Sequence, residues 1–282
     1  MKFKVFIGLL ILIFSSRVYS QNDYISYYQL IMKVNQKIDK KQYDSLHVFL
    51  KQAFNLVDYV HIENLKLGKR IARKNKDLEL LSFCNKGLKK SKNNINPILK
   101  AKLDSVGNED QRIRGNKYYK AKKYYQKSLF DTTFKYDEKK RLEAKKLMEE
   151  WWRVDSSNVE FVKNIISNYG FPSEKLVGED TYEKVTIILV HYDKDTANHI
   201  LGKSLEIALK EGKIKPSKYA WIIDRHLMNA GKKQIYNWIP TPWIKLTNEQ
   251  RTECNKNRFY IGLKPIEDVK IIVRKNSVTV KY

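Results

Sequence analysis

Apolar residues recur at helical spacing along most of this chain. Ile31, Val34 and Ile38 stand three and four apart, as do Leu46, Phe49, Leu50 and Phe54, which puts each set on one helix face. A shift of 34 residues superposes Leu46 on Leu80, Phe49 on Phe83 and Phe54 on Leu88. Thirty-four is the period of tetratricopeptide-type helix pairs, although the Trp, Gly and Pro positions of that repeat are missing. The pattern predicts two or three helical hairpins over residues 21–105. Residues 93–97 (Asn-Asn-Ile-Asn-Pro) interrupt it, and residues 105–108 (Ser-Val-Gly-Asn) predict a boundary near 105.

A second helical set follows, over residues 106–267. Residues 110–128 form a polar, Tyr-rich helix, residues 129–136 a break, and residues 137–152 a strongly charged helix ending on Trp151 and Trp152. Asp155 stands where a helix N-cap would, ahead of the stripe Val159, Val162, Ile165 and Ile166. Gly170 and Pro172 stop that helix. Further helices are predicted from Glu179 to His191, from Thr196 to Glu211, and from Pro216 to just before Gly231. The segment 237–248, with two Pro and two Trp, reads as an ordered loop. Beyond residue 268 the β-branched runs 269–273 and 278–280 flank Arg-Lys-Asn-Ser, a β-hairpin signal. The fold class expected is therefore mostly α, with a short hairpin tail.

The first residues set the expected compartment. Lys2 and Lys4, an apolar run over 5–14, and Val-Tyr-Ser at 18–20 are the three parts of a secretory signal peptide, with cleavage after Ser20. The apolar run is shorter than the roughly 20 residues of a membrane span. A secreted or periplasmic protein without a later span is expected. With 42% hydrophobic and 12% aromatic residues, and only 11 Gly and 6 Pro among 282, the chain can bury a sizeable helical core. Export permits a disulfide, so Cys84 and Cys254 either pair or remain two buried thiols. The formal charge of +24 suits an acidic cell-envelope partner, yet lysines spread over solvated helix faces give the same number. Export argues against nucleic acid.

Chemistry concentrates where ionisable residues interrupt apolar runs, because such groups are costly to bury unpaired. His191 ends an apolar run and is followed by Asp193; Asp224 and Arg225 sit inside a second one, with Gln234 and Tyr236 after it. His191 is either a core histidine bonded to Asp193 or a general acid–base group. Asp224 and Arg225 either form a buried ion pair or divide the work, with Arg225 holding an anion and Asp224 orienting His191. Asp110 and Arg114 are one helical turn apart, as a salt bridge needs. His226 points elsewhere and reads as a surface or capping group. Asp110, His191, Asp193 and Asp224 could supply a mixed metal shell, but no spacing matches a metal motif and no cofactor is expected. No Gly-rich phosphate loop, Gly-x-Ser-x-Gly elbow or paired Cys set is present.

From about 108 to 267 the chain resembles a bacterial domain family of unassigned function. The matching blocks are Asp110, Gln111 and Arg114; Asp155 and Asn158; Gly170-Phe-Pro with Val177 and Gly178; His191 and Asp193; Asp224-Arg225; Gln234 and Tyr236; and Arg258 with Gly262 and Leu263. The resemblance implies a mostly helical domain with a polar site, and no reaction. Two positions depart from it: the Gly-Thr-Gln expected after Tyr236 is Asn237-Trp-Ile, and the Gln before the His is Val190. Two functions then compete. One is an exported interaction or scaffold module in which Asp110, Gln111, Arg114, Asp193, Gln234 and Tyr236 are structural or binding residues. The other is a hydrolase-like enzyme using His191, Asp224 and Arg225. The interaction module is preferred, and Arg225 is expected to bond Asp110 or Asp193.

Overall fold

The computed structural model describes residues 23–191, 200–239, 246–268, 270–274 and 277–281. Twelve helices run through the described residues: α1 (Tyr24–Asp39), α2 (Leu46–Asn55), α3 (Ile62–Lys74), α4 (Leu78–Asn93), α5 (Pro97–Arg112), α6 (Asn116–Phe130), α7 (Glu138–Tyr169), α8 (Glu174–Val177), α9 (Glu179–Val190), α10 (Ile200–Lys210), α11 (Pro216–Asn229) and α12 (Asn248–Tyr260). The class is mostly α. Strands β1 (Lys270–Arg274) and β2 (Ser277–Lys281) pair antiparallel, with Lys270 opposite Lys281 and Arg274 opposite Ser277. The signal-peptide residues, Asp193 and most of the Trp-Pro loop at 240–245 lie outside the described residues.

The helix starts follow from side chains that accept the unpaired first-turn amides. Asp23, Asp77, Asn96 and Asp137 accept from Ser26, Leu80, Leu99 and Lys140. Thr247 and Gln250 cap α12 reciprocally. That Thr-x-x-Gln signal in the sequence passed unread, and α12 with it.

Two expected breaks are absent. The chain does not break at residues 105–108, because Asn96 and Pro97 start α5 and it continues to Arg112. Gly107 is kept there for close contact: a Cβ would stand 2.7 Å from the Lys184 stem on α9. Asp155 is not an N-cap but lies midway along the 32-residue α7, which contains neither Gly nor Pro. Its carboxylate accepts instead from Arg114 and Trp151.

The hairpins α1–α2 and α3–α4 pack against the C-terminal helices through one continuous core. Tyr27, Leu50, Val162, Tyr182, Leu205 and Ile222 are all fully buried in it. The α6–α7 hairpin is different. The apolar residues of α6 and the first half of α7 form two small clusters of their own, around Tyr118 and around Ala144 with Met148, while Val159, Val162, Ile165 and Ile166 carry the second half of α7 into the main core.

At Gly170 the backbone has φ 77° and ψ 178°, so the residue does not take the left-handed helical conformation expected of it. This region is essentially open to glycine alone. It turns the chain so that Phe171 is buried edge-on against Tyr182. Gly170→Val is expected to lower stability by about 1 kcal/mol or more; a thermal melt superposing on wild type would contradict that.

Candidate functional site

The residues singled out by the sequence divide between two places. The first lies where α5, α7 and the end of α9 meet. Asp110, 1% exposed, receives the Arg114 guanidinium at 2.9 Å and faces His191 Nδ1 at 3.3 Å. Arg114 also donates to Asp155 at 2.7 Å, and Trp151 Nε1 donates to the other Asp155 oxygen at 2.8 Å. Gln111 donates to Asp110 Oδ2 at 2.8 Å. Burial raises the Asp155 carboxyl above its ordinary range, with the Arg114 charge opposing the rise. His191 sits at the C-terminal end of α9 and keeps 27% of its side chain exposed. It is therefore oriented by Asp110, not by Asp224.

The second place is the turn after α11. Asp224 is fully buried and accepts the backbone amides of Ile235, Tyr236 and Trp238 at 2.8, 3.1 and 2.7 Å. Burial raises its carboxyl, and the three amides and the Arg258 charge oppose that rise. Gln234 closes the same turn by exchanging two hydrogen bonds with the Ile239 backbone. Tyr236 is buried edge-on against Tyr219, and its carbonyl accepts from Arg258 at 2.7 Å. Asp224 is thus the organiser of a turn, and its oxygens are spent on amides. Arg225 does not bond Asp110 or any other carboxylate among the described residues, and its Nε is buried without a hydrogen-bond partner. The single polar cluster expected from the sequence is two clusters, because Asp224 and His191 serve different chain reversals. His226 caps α9, where its Nε2 meets the Leu189 carbonyl at 2.9 Å.

A third cluster was missed and is the most buried. Glu174, the first residue of α8, is fully buried. Its Oε1 accepts from the Ile62 amide at 2.7 Å and the Tyr59 hydroxyl at 3.0 Å, and stands 3.7 Å from His61 Nδ1. Lys215 Nζ lies 2.7 Å from Oε2 in a buried ion pair. Tyr28 joins the other side of His61 at 3.2 Å and donates to the Ile214 carbonyl. Burial alone would raise the Glu174 carboxyl, but His61, Lys215 and the Ile62 amide outweigh it and hold it well below the ordinary range. Burial alone would lower Lys215, yet Glu63 and Glu174 carry it above 10.5. Both groups are therefore charged at neutral pH.

Tyr28, His61 and Lys215 of this cluster line a cleft of about 620 Å³ between the N-terminal hairpins and α11–α12. It is lined also by Asn35, Glu63, Arg70, Glu183, Lys218 and the buried Trp238. Among the described residues no group of three or more His, Cys, Asp or Glu is placed to hold a metal ion. Cys84 and Cys254 are separate buried thiols, each raised to about 11 by burial. No helix among the described residues is long and apolar enough to cross a membrane. No protein-family model, curated protein or solved structure matches this chain.

Proposed function

We propose that this chain is an exported helical interaction protein whose polar clusters hold the fold and whose cleft receives a partner. The observation that carries the reading is the commitment of Asp224 to three backbone amides, which leaves His191 without the acid partner that hydrolysis was to use. The cleft is flanked by the two N-terminal hairpins, whose α2 and α4 begin 32 residues apart with Leu46 and Leu80 both buried. That spacing supports a tetratricopeptide-like pairing, in which such helices offer a concave binding face. The similarity to the bacterial domain family fits the same picture. Of its matching positions, Asp110, Arg114, Asp224 and Arg258 all act here by holding neighbouring backbone or helices together.

A photo-crosslinking residue in place of Asn35 or Ser217 should give a discrete adduct from the cell envelope that a probe at Tyr169 does not. A hydrolase is the second reading, favoured by the Asp110–His191 pair alone. Ester, amide or glycoside turnover abolished by His191→Ala, without a cleft adduct, would replace the first reading by the second. Export is tested separately. The intact mass of material collected outside the cytoplasm should correspond to a chain starting at Gln21, and a mass retaining Met1 would count against it.

A further inference from the structure

The α6–α7 hairpin carries a surface that neither the cleft nor the polar clusters use. Helix α6 has five lysines and no Asp or Glu. Four of the five lie over aromatic rings: Lys117 over Tyr118, Lys122 over Trp151, Lys123 over Tyr119 and Lys127 over Phe134. Lys117, Lys120, Lys123 and Lys127 are exposed and Lys122 is half-buried. At the tip, where α6 ends, Leu129, Phe130 and Tyr136 are 48%, 81% and 45% exposed. Lys127, Lys135, Lys139 and Lys140 stand in the same short stretch. The acids there are already engaged. Asp131 accepts from Thr133, Asp137 caps α7, and Glu138 pairs with Arg141 at 2.6 Å.

We propose that this tip docks on the surface of an anionic phospholipid membrane. Exposed aromatic and aliphatic side chains ringed by lysines match the boundary between headgroups and acyl chains. The apolar side chains leave water there, while the long lysine stems carry their charges up to the phosphates. Each lysine near an anionic leaflet is worth about fivefold in affinity. An acidic polysaccharide would answer the charge equally well but would gain nothing from Leu129 and Phe130. The hairpin's packing suits the task, because the apolar clusters of α6 and the first half of α7 are separate from the main core, and the tip can enter a bilayer edge without opening that core. This deepens the interaction-protein reading by naming the chemistry of one surface. A hairpin that ignores vesicles leaves the cleft experiment standing.

The test uses the mature full-length chain and phosphatidylcholine vesicles with and without phosphatidylglycerol. Sedimentation should show binding to the anionic vesicles that weakens as salt is raised. The double variant Leu129→Ser, Phe130→Ser should bind about tenfold or more weakly, with an unchanged circular dichroism spectrum because both side chains are exposed. In a Phe130→Trp variant, vesicles should shift emission to the blue and brominated lipid should quench it. Binding that is indifferent to Leu129 and Phe130, without quenching, would overturn the proposal in favour of charge alone. Equal binding to neutral vesicles, or capture by an anionic polysaccharide that outcompetes vesicles, would overturn it as well.

Discussion

Glu174→Gln is expected to destabilise the protein by about 3–5 kcal/mol, the usual consequence of removing one partner from a buried ion pair. The carboxylate is fully buried, and its loss leaves Lys215, whose side chain is only 4% exposed, without its nearest partner and with Glu63 3.6 Å away. Lys215→Met should cost a similar amount for the mirror reason. Combining the two leaves neither charge unpaired, so the double variant should be more stable than the sum of the singles predicts. Urea midpoints of the four proteins measure this, and strict additivity would show that the pair is not coupled. The same cluster sets an acid limb. Glu174 is depressed in the folded state, so its contribution is complete above the unfolded value near 4.5 and fades as pH falls through the lower folded value. Lys215 is raised, so its share is complete below 10.5 and fades as pH climbs past the raised value. Asp155 and Asp224 are raised carboxyls and run the other way, offsetting part of the acid loss. Glu174→Gln should therefore flatten the fall of melting temperature on acidification.

The second large effect belongs to Asp224→Ala, expected to cost about 3 kcal/mol or more because two buried amides and a partly buried one lose a charged acceptor at once. Ile235, Tyr236 and Trp238 should lose protection from hydrogen exchange while the amides of α9 keep theirs. Asp224→Asn should cost less than the alanine change. Its amide oxygen can still accept, but its NH2 would face a backbone N–H that needs an acceptor. Protection at Trp238 that survives Asp224→Ala would show that the turn is held by other means.

What the sequence made legible was whatever lies close along the chain. Asp110 and Arg114 sit at i and i+4, and they pair. Gly170, Pro216 and Asp137 mark helix ends by local chemistry, and the helices end or begin there. Distance along the chain hid the rest. Nothing local distinguishes Glu174 or Lys215 from the many other acids and lysines of the chain. Only the fold brings them together, with His61 more than a hundred residues upstream. Asp155 misled for the opposite reason. Its local surroundings resembled a cap, but a partner 41 residues away claims its carboxylate.

The first helix has a further consequence, which concerns the order of assembly. Tyr28 bonds the Ile214 carbonyl, 186 residues away, and Gln29 the Tyr260 carbonyl, 231 away. Gly212 and Gly262 lack side chains where the Tyr24 ring and the Tyr28 backbone press closest, and a Cβ would come within 2.0 and 2.5 Å of them. Helix α1 is thus made long before the residues that complete its seat. Until those residues arrive, its tyrosines are covered only on the side of Asp58, His61 and Asn64. The chain must therefore hold an unfinished apolar face until those residues are made, and its native topology closes only when they meet α1.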